Sequence, residues 1–191
     1  MASYDLGGSK EIIKMPLRLN NPTTLWMTGL PCSGKTTLAS LLVDKFSPRL
    51  MHLDGDVLRK TINSDLGFGE SDRIKNIYRA SHIAKLFNDA GISVVTSFIC
   101  PTNNLRVVAE QIIKPSNFVL LYINCPLNAC EKRDVKGMYA KARSGEIRKF
   151  TGISGNFEIP YYADCTVNTD LSTKQECLTR IMNYMKARNN A

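Results

Sequence analysis

The residues best suited to chemistry form the run Gly29-Leu30-Pro31-Cys32-Ser33-Gly34-Lys35-Thr36, which places two glycines, a lysine and a hydroxyl at G-x-x-x-x-G-K-T spacing. Glycines at those positions let consecutive backbone N–H groups converge on a phosphate, and a helix beginning there adds partial positive charge. Lys35 can then reach the β- and γ-phosphates of a nucleoside triphosphate, and the Thr36 hydroxyl can bind Mg²⁺. The bland reading is a glycine turn that only joins a strand to a helix. The setting decides against it: the apolar run Thr24-Leu25-Trp26-Met27-Thr28 precedes the glycines and a helical stretch, Thr37 to Val43, follows them.

A second group is Leu53-Asp54-Gly55-Asp56, two carboxylates at the end of an apolar strand. Ligands bind at that edge of α/β sheets. One carboxylate there can accept the proton of an acceptor hydroxyl while the other works through Mg²⁺, so Lys35, Asp54 and Asp56 are the candidate catalytic residues. An ordinary Asp-Gly turn is the alternative. Arg73 and Asn76 share a helix face and, with Arg59, could hold a second anionic ligand through charge-assisted hydrogen bonds. Phe68, between two glycines, and Phe150, between Lys149 and Thr151, could sandwich a base or anchor a core. The chain has no Asn-Lys-x-Asp guanine motif and is short for a coupled ATPase, which leaves a small-molecule kinase.

Positioning these groups requires alternating strands and helices. Further strands are expected at Arg49–Asp54, Ile92–Ile99, Phe118–Ile123 and Cys165–Val167, and a short helix at Asp56–Asn63. Ser71 is expected to cap a helix running to about Ala90, with Ile74, Ile77, Ala84 and Phe87 on its buried stripe and Gly91 closing it. Another helix should span Asn104–Lys114. The last begins at a capping-box pattern, Ser172 to Gln175, and buries Leu178, Ile181, Met182 and Met185. The fold class is α/β: a twisted parallel sheet flanked by helices, with residues 1–22 as an N-terminal extension and 23–191 as the nucleotide-kinase domain. Residues 133–155 break the alternation, being basic and punctuated by glycine. They are either a solvated helical excursion or, in this setting, a phosphate-clamping lid.

The 191 residues, 43% hydrophobic and 22% charged, suit one globular domain with a substantial core. No apolar run approaches the roughly 20 residues of a membrane span. No apolar signal core opens the chain, so a cytoplasmic location is expected. The six cysteines have no zinc-ligand spacing and read as free thiols. A net charge of +8 points to polyanionic partners: nucleic acid, or two anionic nucleotides in one enzyme. A nucleic-acid-binding protein with a regulatory ATP site would need a basic stripe away from the phosphate loop, whereas many of these charges fall within 133–155.

Residues 29–39, Leu53 to Arg59, Asp65 to Phe68, Asp72 to Ile77 and Ala84 to Gly91 resemble adenylyl-sulfate kinases. The most diagnostic match is Arg133-Asp134-Val135-Lys136-Gly137-Met138-Tyr139, continuing through Lys141-Ala142-Arg143 and Gly145-Glu146-Ile147 to Phe150-Thr151-Gly152. The resemblance covers about 24 to 185. It implies transfer of the ATP γ-phosphoryl group to the 3′-hydroxyl of adenosine 5′-phosphosulfate, with Mg²⁺, by a homodimer. It further implies that Gly29, Leu30, Pro31, Cys32, Ser33, Gly34, Lys35, Thr36, Thr37 and Arg133 serve ATP, with Thr36 and Asp54 at the metal. Asp56, Arg59, Phe68, Arg73, Asn76, Ile99, Cys100, Lys136, Phe150 and Thr151 would then face the acceptor. The chain departs from the family mainly on that side. Ile99-Cys100-Pro101-Thr102-Asn103 stands where the family usually reads Ile-Ser-Pro-Tyr-Arg, Val57 replaces an Asn, and Lys149 a Gly. The loop has lost a cation, so weak use of adenylyl sulfate is expected, or a preference for another 5′-substituted nucleotide such as cytidine diphosphoramidate. Restoring the loop with Asn103→Arg and Thr102→Tyr is expected to improve adenylyl-sulfate turnover.

Overall fold

In a computed structural model, residues 21–46 and 49–190 are described. The expected extension lies almost wholly outside them. Five strands, β1 (Thr24–Thr28), β2 (Leu50–Asp54), β3 (Ser93–Ser97), β4 (Phe118–Asn124) and β5 (Cys165–Asn168), form one parallel sheet in the order β2-β3-β1-β4-β5. The side-chain period of two splits each strand between the faces. Leu25 and Met27 of β1, with Val119, Leu121 and Ile123 of β4, pack under helices α1 (Lys35–Phe46) and α7 (Lys174–Asn189). Trp26 and Leu120 point to the opposite face, against α2 (Gly55–Lys60), α3 (Glu70–Asp89) and α4 (Asn103–Ile113). Both faces are covered, which is why β1 and β3 are buried along their whole length. The order reverses at β1, so its C-terminal end opens into the crevice where such sheets bind ligands.

The helix starts differ from expectation in instructive ways. Ser71 is no cap: α3 begins two residues earlier than that cap would set, with Gly69 as its N-cap and no side-chain bond there. Ile74 is exposed. The buried stripe runs instead through Asn76, Ile77, Ala80, Ser81, Ala84 and Asn88, because small and polar residues let α3 lie close to the sheet; Asn88 Oδ1 accepts from Thr24 Oγ1 at 2.8 Å. The capping box of α7 is shifted by one, with Thr173 accepting from Glu176 N–H and the Glu176 carboxylate accepting from Thr173 N–H.

Residues 133–155 are also more ordered than their polarity predicts. After α5 (Leu127–Arg133), helix α6 (Met138–Arg143) buries Tyr139 and Ala142 in a third small core with Cys125, Cys130 and Phe150. The Tyr139 and Phe150 rings meet edge to face, centroids 4.9 Å apart.

Candidate functional site

Strand β1 delivers the chain to the phosphate loop, and Gly29 is the first residue past it. A Cβ on Gly29 would lie 2.5 Å from the Ile123 carbonyl oxygen and 2.9 Å from Ser33 Oγ, so only glycine lets the loop pass beside β4. Lys35, the first residue of α1, turns back into the loop. Its ammonium donates to the carbonyls of Gly29 (2.9 Å) and Leu30 (2.6 Å) and to Ser33 Oγ at 3.3 Å. Burial pushes its pKa down to about 8, since these neutral oxygens only partly replace water. The first turn of the 12-residue α1, including Thr36 and Thr37, has N–H groups with no partner one turn earlier in the helix.

Asp54 ends β2 and caps α2. One carboxylate oxygen accepts from the Asp56 and Val57 N–H groups (2.9 and 3.2 Å). The other accepts from Ser97 Oγ at 2.6 Å and Thr36 Oγ1 at 3.0 Å. Burial alone would raise the Asp54 pKa, but these four donors outweigh it and hold the carboxyl below its ordinary value. Behind it, His52 Nε2 lies 2.9 Å from Ser97 Oγ, and burial lowers the His52 pKa. Asp56 differs in every respect: it is exposed on the first turn of α2 and faces the ammonium of Lys136, an ion pair that crosses from α2 to the loop before α6.

The residues expected at the acceptor separate into three kinds. Arg59 and Arg73 line a polar rim. Arg59 donates to the Leu66 and Gly67 carbonyls and its guanidinium sits 4.8 Å from the centre of the Phe68 ring, which is 65% exposed. Arg73 donates to the Phe68 carbonyl (2.9 Å), to Thr151 Oγ1 (2.6 Å) and to the Lys149 carbonyl (3.1 Å), tying α3 to residues 149–151. A second group is buried: Asn76 accepts from Asn63 Nδ2 at 3.0 Å, Phe150 is a core anchor, and Thr151 is 2% exposed. Phe68 is therefore the aromatic free to stack on a base, and Phe150 is not. The third kind serves the backbone: the Ile99 carbonyl accepts from Gly29 N–H (3.3 Å) and Thr28 Oγ1 (2.8 Å). Cys100 is 1% exposed with φ of 43°, and burial pushes its thiol up to about 12.

Arg133 reaches the phosphate loop from α5, donating to Thr169 Oγ1 (3.0 Å), to the Thr169 carbonyl (2.5 Å) and to the Cys32 carbonyl at 3.4 Å. Thr169, just past β5, donates in turn to the Ser33 carbonyl at 2.8 Å. Tyr139 Oη donates to the Pro31 carbonyl at 3.0 Å. Sequence reasoning missed Thr169, Tyr139, Ser97 and His52. The signal for Ser97 was its place at the end of the strand that pairs with Asp54; none distinguished Thr169.

These residues fit a triphosphate and a hard cation. Lys35 hydrogen-bonds only to neutral oxygens, and Thr36 Oγ1 and Asp54 Oδ2 offer two oxygen donors 3.0 Å apart at the crevice. A glycine-lined loop at the switch point of a parallel sheet, a lysine folded into it, and a carboxylate paired with its threonine define a P-loop phosphotransferase.

The comparisons narrow the class. The model of the adenylylsulphate kinase family matches residues 21–168. The adenylyl-sulfate kinase of Clostridium acetobutylicum is 48% identical over 165 residues, 85% of this chain and 82% of that one. Its counterpart from Bacteroides fragilis is 43% identical over 167 residues, covering 86% and 83%. The structure of the Mycobacterium tuberculosis APS kinase CysC in complex with AMPPNP and APS superposes with a TM-score of 0.83 at 36% identity, over 87% of this chain and 98% of that one. The chain belongs to the adenylylsulphate kinase family. Shikimate kinase from Aquifex aeolicus, at 17% identity and a TM-score of 0.54, shares the fold.

Proposed function

We propose that the chain transfers the γ-phosphoryl group of ATP to the 3′-hydroxyl of adenosine 5′-phosphosulfate, giving 3′-phosphoadenylyl sulfate and ADP. The observation that carries this reading is the division between the two carboxylates. Asp54 has all its nearby donors inside the protein and shares Thr36 with the phosphate loop, so Thr36 and Asp54 are the residues to hold Mg²⁺. That ion, when bound, neutralises charge on the β- and γ-phosphates. Asp56 is exposed at the crevice with the exposed ammonium of Lys136 against it, which suits it to accept the proton of the acceptor hydroxyl as that oxygen bonds to phosphorus. Lys35 and the loop amides stabilise charge on the transferring group and on the departing ADP. Arg133 stands beside the loop to serve ATP. Arg59, Arg73 and Lys136 supply the positive field for the 5′-phosphosulfate, Phe68 the stacking face, and residues 133–155 the lid that closes over both nucleotides.

One observation favours a second acceptor. Thr102 accepts from Leu105 N–H as the cap of α4, and Asn103 is bonded within the protein, so this loop presents no cation. A less anionic 5′-substituent, as in cytidine diphosphoramidate, suits that loop. By analogy with the resemblance above, the working form is a cytoplasmic homodimer; sedimentation at micromolar concentration tests its assembly.

The deciding experiment is turnover of ATP with a panel of 5′-substituted nucleotides, read by phosphorus NMR of the product. Adenylyl sulfate should be consumed and acquire a 3′-phosphate. Faster use of cytidine diphosphoramidate would transfer the proposal to that acceptor, and no turnover with any nucleotide would remove it.

A further inference from the structure

The loop that departs from the family carries a bracket not built for a ligand. Asn103, the first residue of α4, donates its backbone N–H to Glu158 Oε2 at 2.7 Å and its side-chain amide to the same oxygen and to the Ile159 carbonyl, each at 3.2 Å. Its amide oxygen accepts from the Tyr161 N–H at 3.1 Å and from Arg106 Nη1 at 2.7 Å. Every hydrogen-bonding group of the Asn103 side chain is thereby directed at residues 158–161 or at Arg106.

Arg106 extends the bracket inward. It is 2% exposed, donates to the Glu158 carbonyl (2.5 Å) and to Thr28 Oγ1 (3.3 Å), and lies 5.4 Å from the centre of the Phe157 ring. Thr28 is the last residue before the phosphate loop, and its hydroxyl also bonds the Ile99 and Cys100 carbonyls. Glu158 N–H closes the set on the Pro101 carbonyl at 2.8 Å. The chain leaving the lid is thus fastened at three levels to α4 and to the root of the phosphate loop. The Glu158 carboxylate also occupies the positive end of the 11-residue α4.

We propose that Asn103 and Arg106 are positioning residues: with Glu158 they pin residues 157–161 as the fixed end about which the lid closes. The departure at position 103 thus fastens the lid rather than contacting the acceptor. This rests on the reading of 133–155 as a lid, but not on the identity of the acceptor.

Hydrogen exchange of the full chain, alone and with a non-hydrolysable ATP analogue, tests it with Asn103→Asp, Glu158→Gln and the double variant. Asn103→Asp sets a carboxylate against Glu158 and the Ile159 carbonyl. Exchange at 157–161 should rise about tenfold or more, and the added protection that the analogue gives 133–155 should shrink. The double variant restores a donor facing an acceptor, so protection should return toward wild type. With saturating ATP, Asn103→Asp should lower kcat and the double variant recover it. Unchanged exchange at 157–161 in Asn103→Asp would overturn the bracket. Raised exchange there with undiminished lid protection would overturn its link to closure. A rise confined to the acceptor KM, with no recovery on adding Glu158→Gln, would make Asn103 a ligand contact instead. If the analogue protects 133–155 in no form of the protein, the lid reading fails, while the exchange at 157–161 still reports on the bracket.

Discussion

Asp54 allows its charge to be separated from its role as a helix cap. In Asp54→Asn the amide oxygen can still accept from Asp56 and Val57 N–H, and Asn is as good an N-cap as Asp. The amide NH₂ then faces Ser97 and Thr36, whose hydroxyls can rotate to accept. Two charge-assisted bonds become neutral ones, a loss of roughly 1 kcal/mol each, so about 1–2 kcal/mol of stability. For a chain of this size that is about 2–8 °C in Tm. Asp54→Ala loses the cap as well, at about 1 kcal/mol more. Activity should divide the variants differently. Both remove the carboxylate paired with Thr36, so kcat should fall by about a hundredfold or more in each, with the Mg²⁺ concentration for half-maximal rate raised where activity remains. The pH profile adds a check. The folded pKa of Asp54 lies below its ordinary value of 3.8, so its contribution is complete above that pH and is lost as pH falls through the folded value. Urea melts between pH 6 and pH 3 should show that extra acid loss in wild type and not in Asp54→Asn. Wild-type kcat and unaltered Mg²⁺ dependence in Asp54→Asn would refute the assignment.

Lys35→Met should lower kcat at least a hundredfold with unaltered circular dichroism. Because the folded Lys35 pKa of about 8 lies below its ordinary 10.5, the unfolded chain holds more protons between those values. Wild-type stability relative to Lys35→Met should therefore rise from pH 8 to 10.5; a fall would contradict the buried ammonium. Lys136→Ala should reduce turnover while shifting Tm by no more than about 4 °C, since its pair with Asp56 is mostly exposed and such pairs contribute about 0–1 kcal/mol. Gly29→Ala should cost roughly 1–3 kcal/mol in thermal melts, because its Cβ would meet the Ile123 carbonyl at 2.5 Å. Asn103→Arg with Thr102→Tyr, attractive from sequence, should instead loosen 157–161 and leave adenylyl-sulfate turnover no better than wild type.

Local patterns in the sequence made the sheet and the phosphate loop legible. The runs at 24–28 and 118–124 are apolar because both faces are covered, and the glycine–lysine spacing is contiguous in the chain. The residues expected at the acceptor were less so, since their contacts are set by partners far away in sequence. Phe68 and Phe150 look alike in sequence, yet one is exposed on a loop and the other is held by Tyr139. Asn103 reads as a missing cation until Glu158, 55 residues on, is placed against it. Arg106 passed unnoticed because a buried arginine on a helix carries no periodic signal. The polarity of 133–155 concealed a core, because its apolar residues, Met138, Tyr139, Ala142, Ile147, Phe150 and Ile153, are scattered among charges and glycines and meet only against Cys125 and Cys130.

That small core has a thermodynamic consequence. Tyr139 bonds the Pro31 carbonyl, and a Cβ on Gly152 would touch Leu30 at 2.9 Å, so the phosphate loop and residues 139–152 are two surfaces of a single wall. A nucleotide that shifts one surface shifts the free energy of the other. Whatever factor donor binding applies to acceptor affinity, acceptor binding must return to the donor, and calorimetric titrations in the two orders should close on one coupling constant.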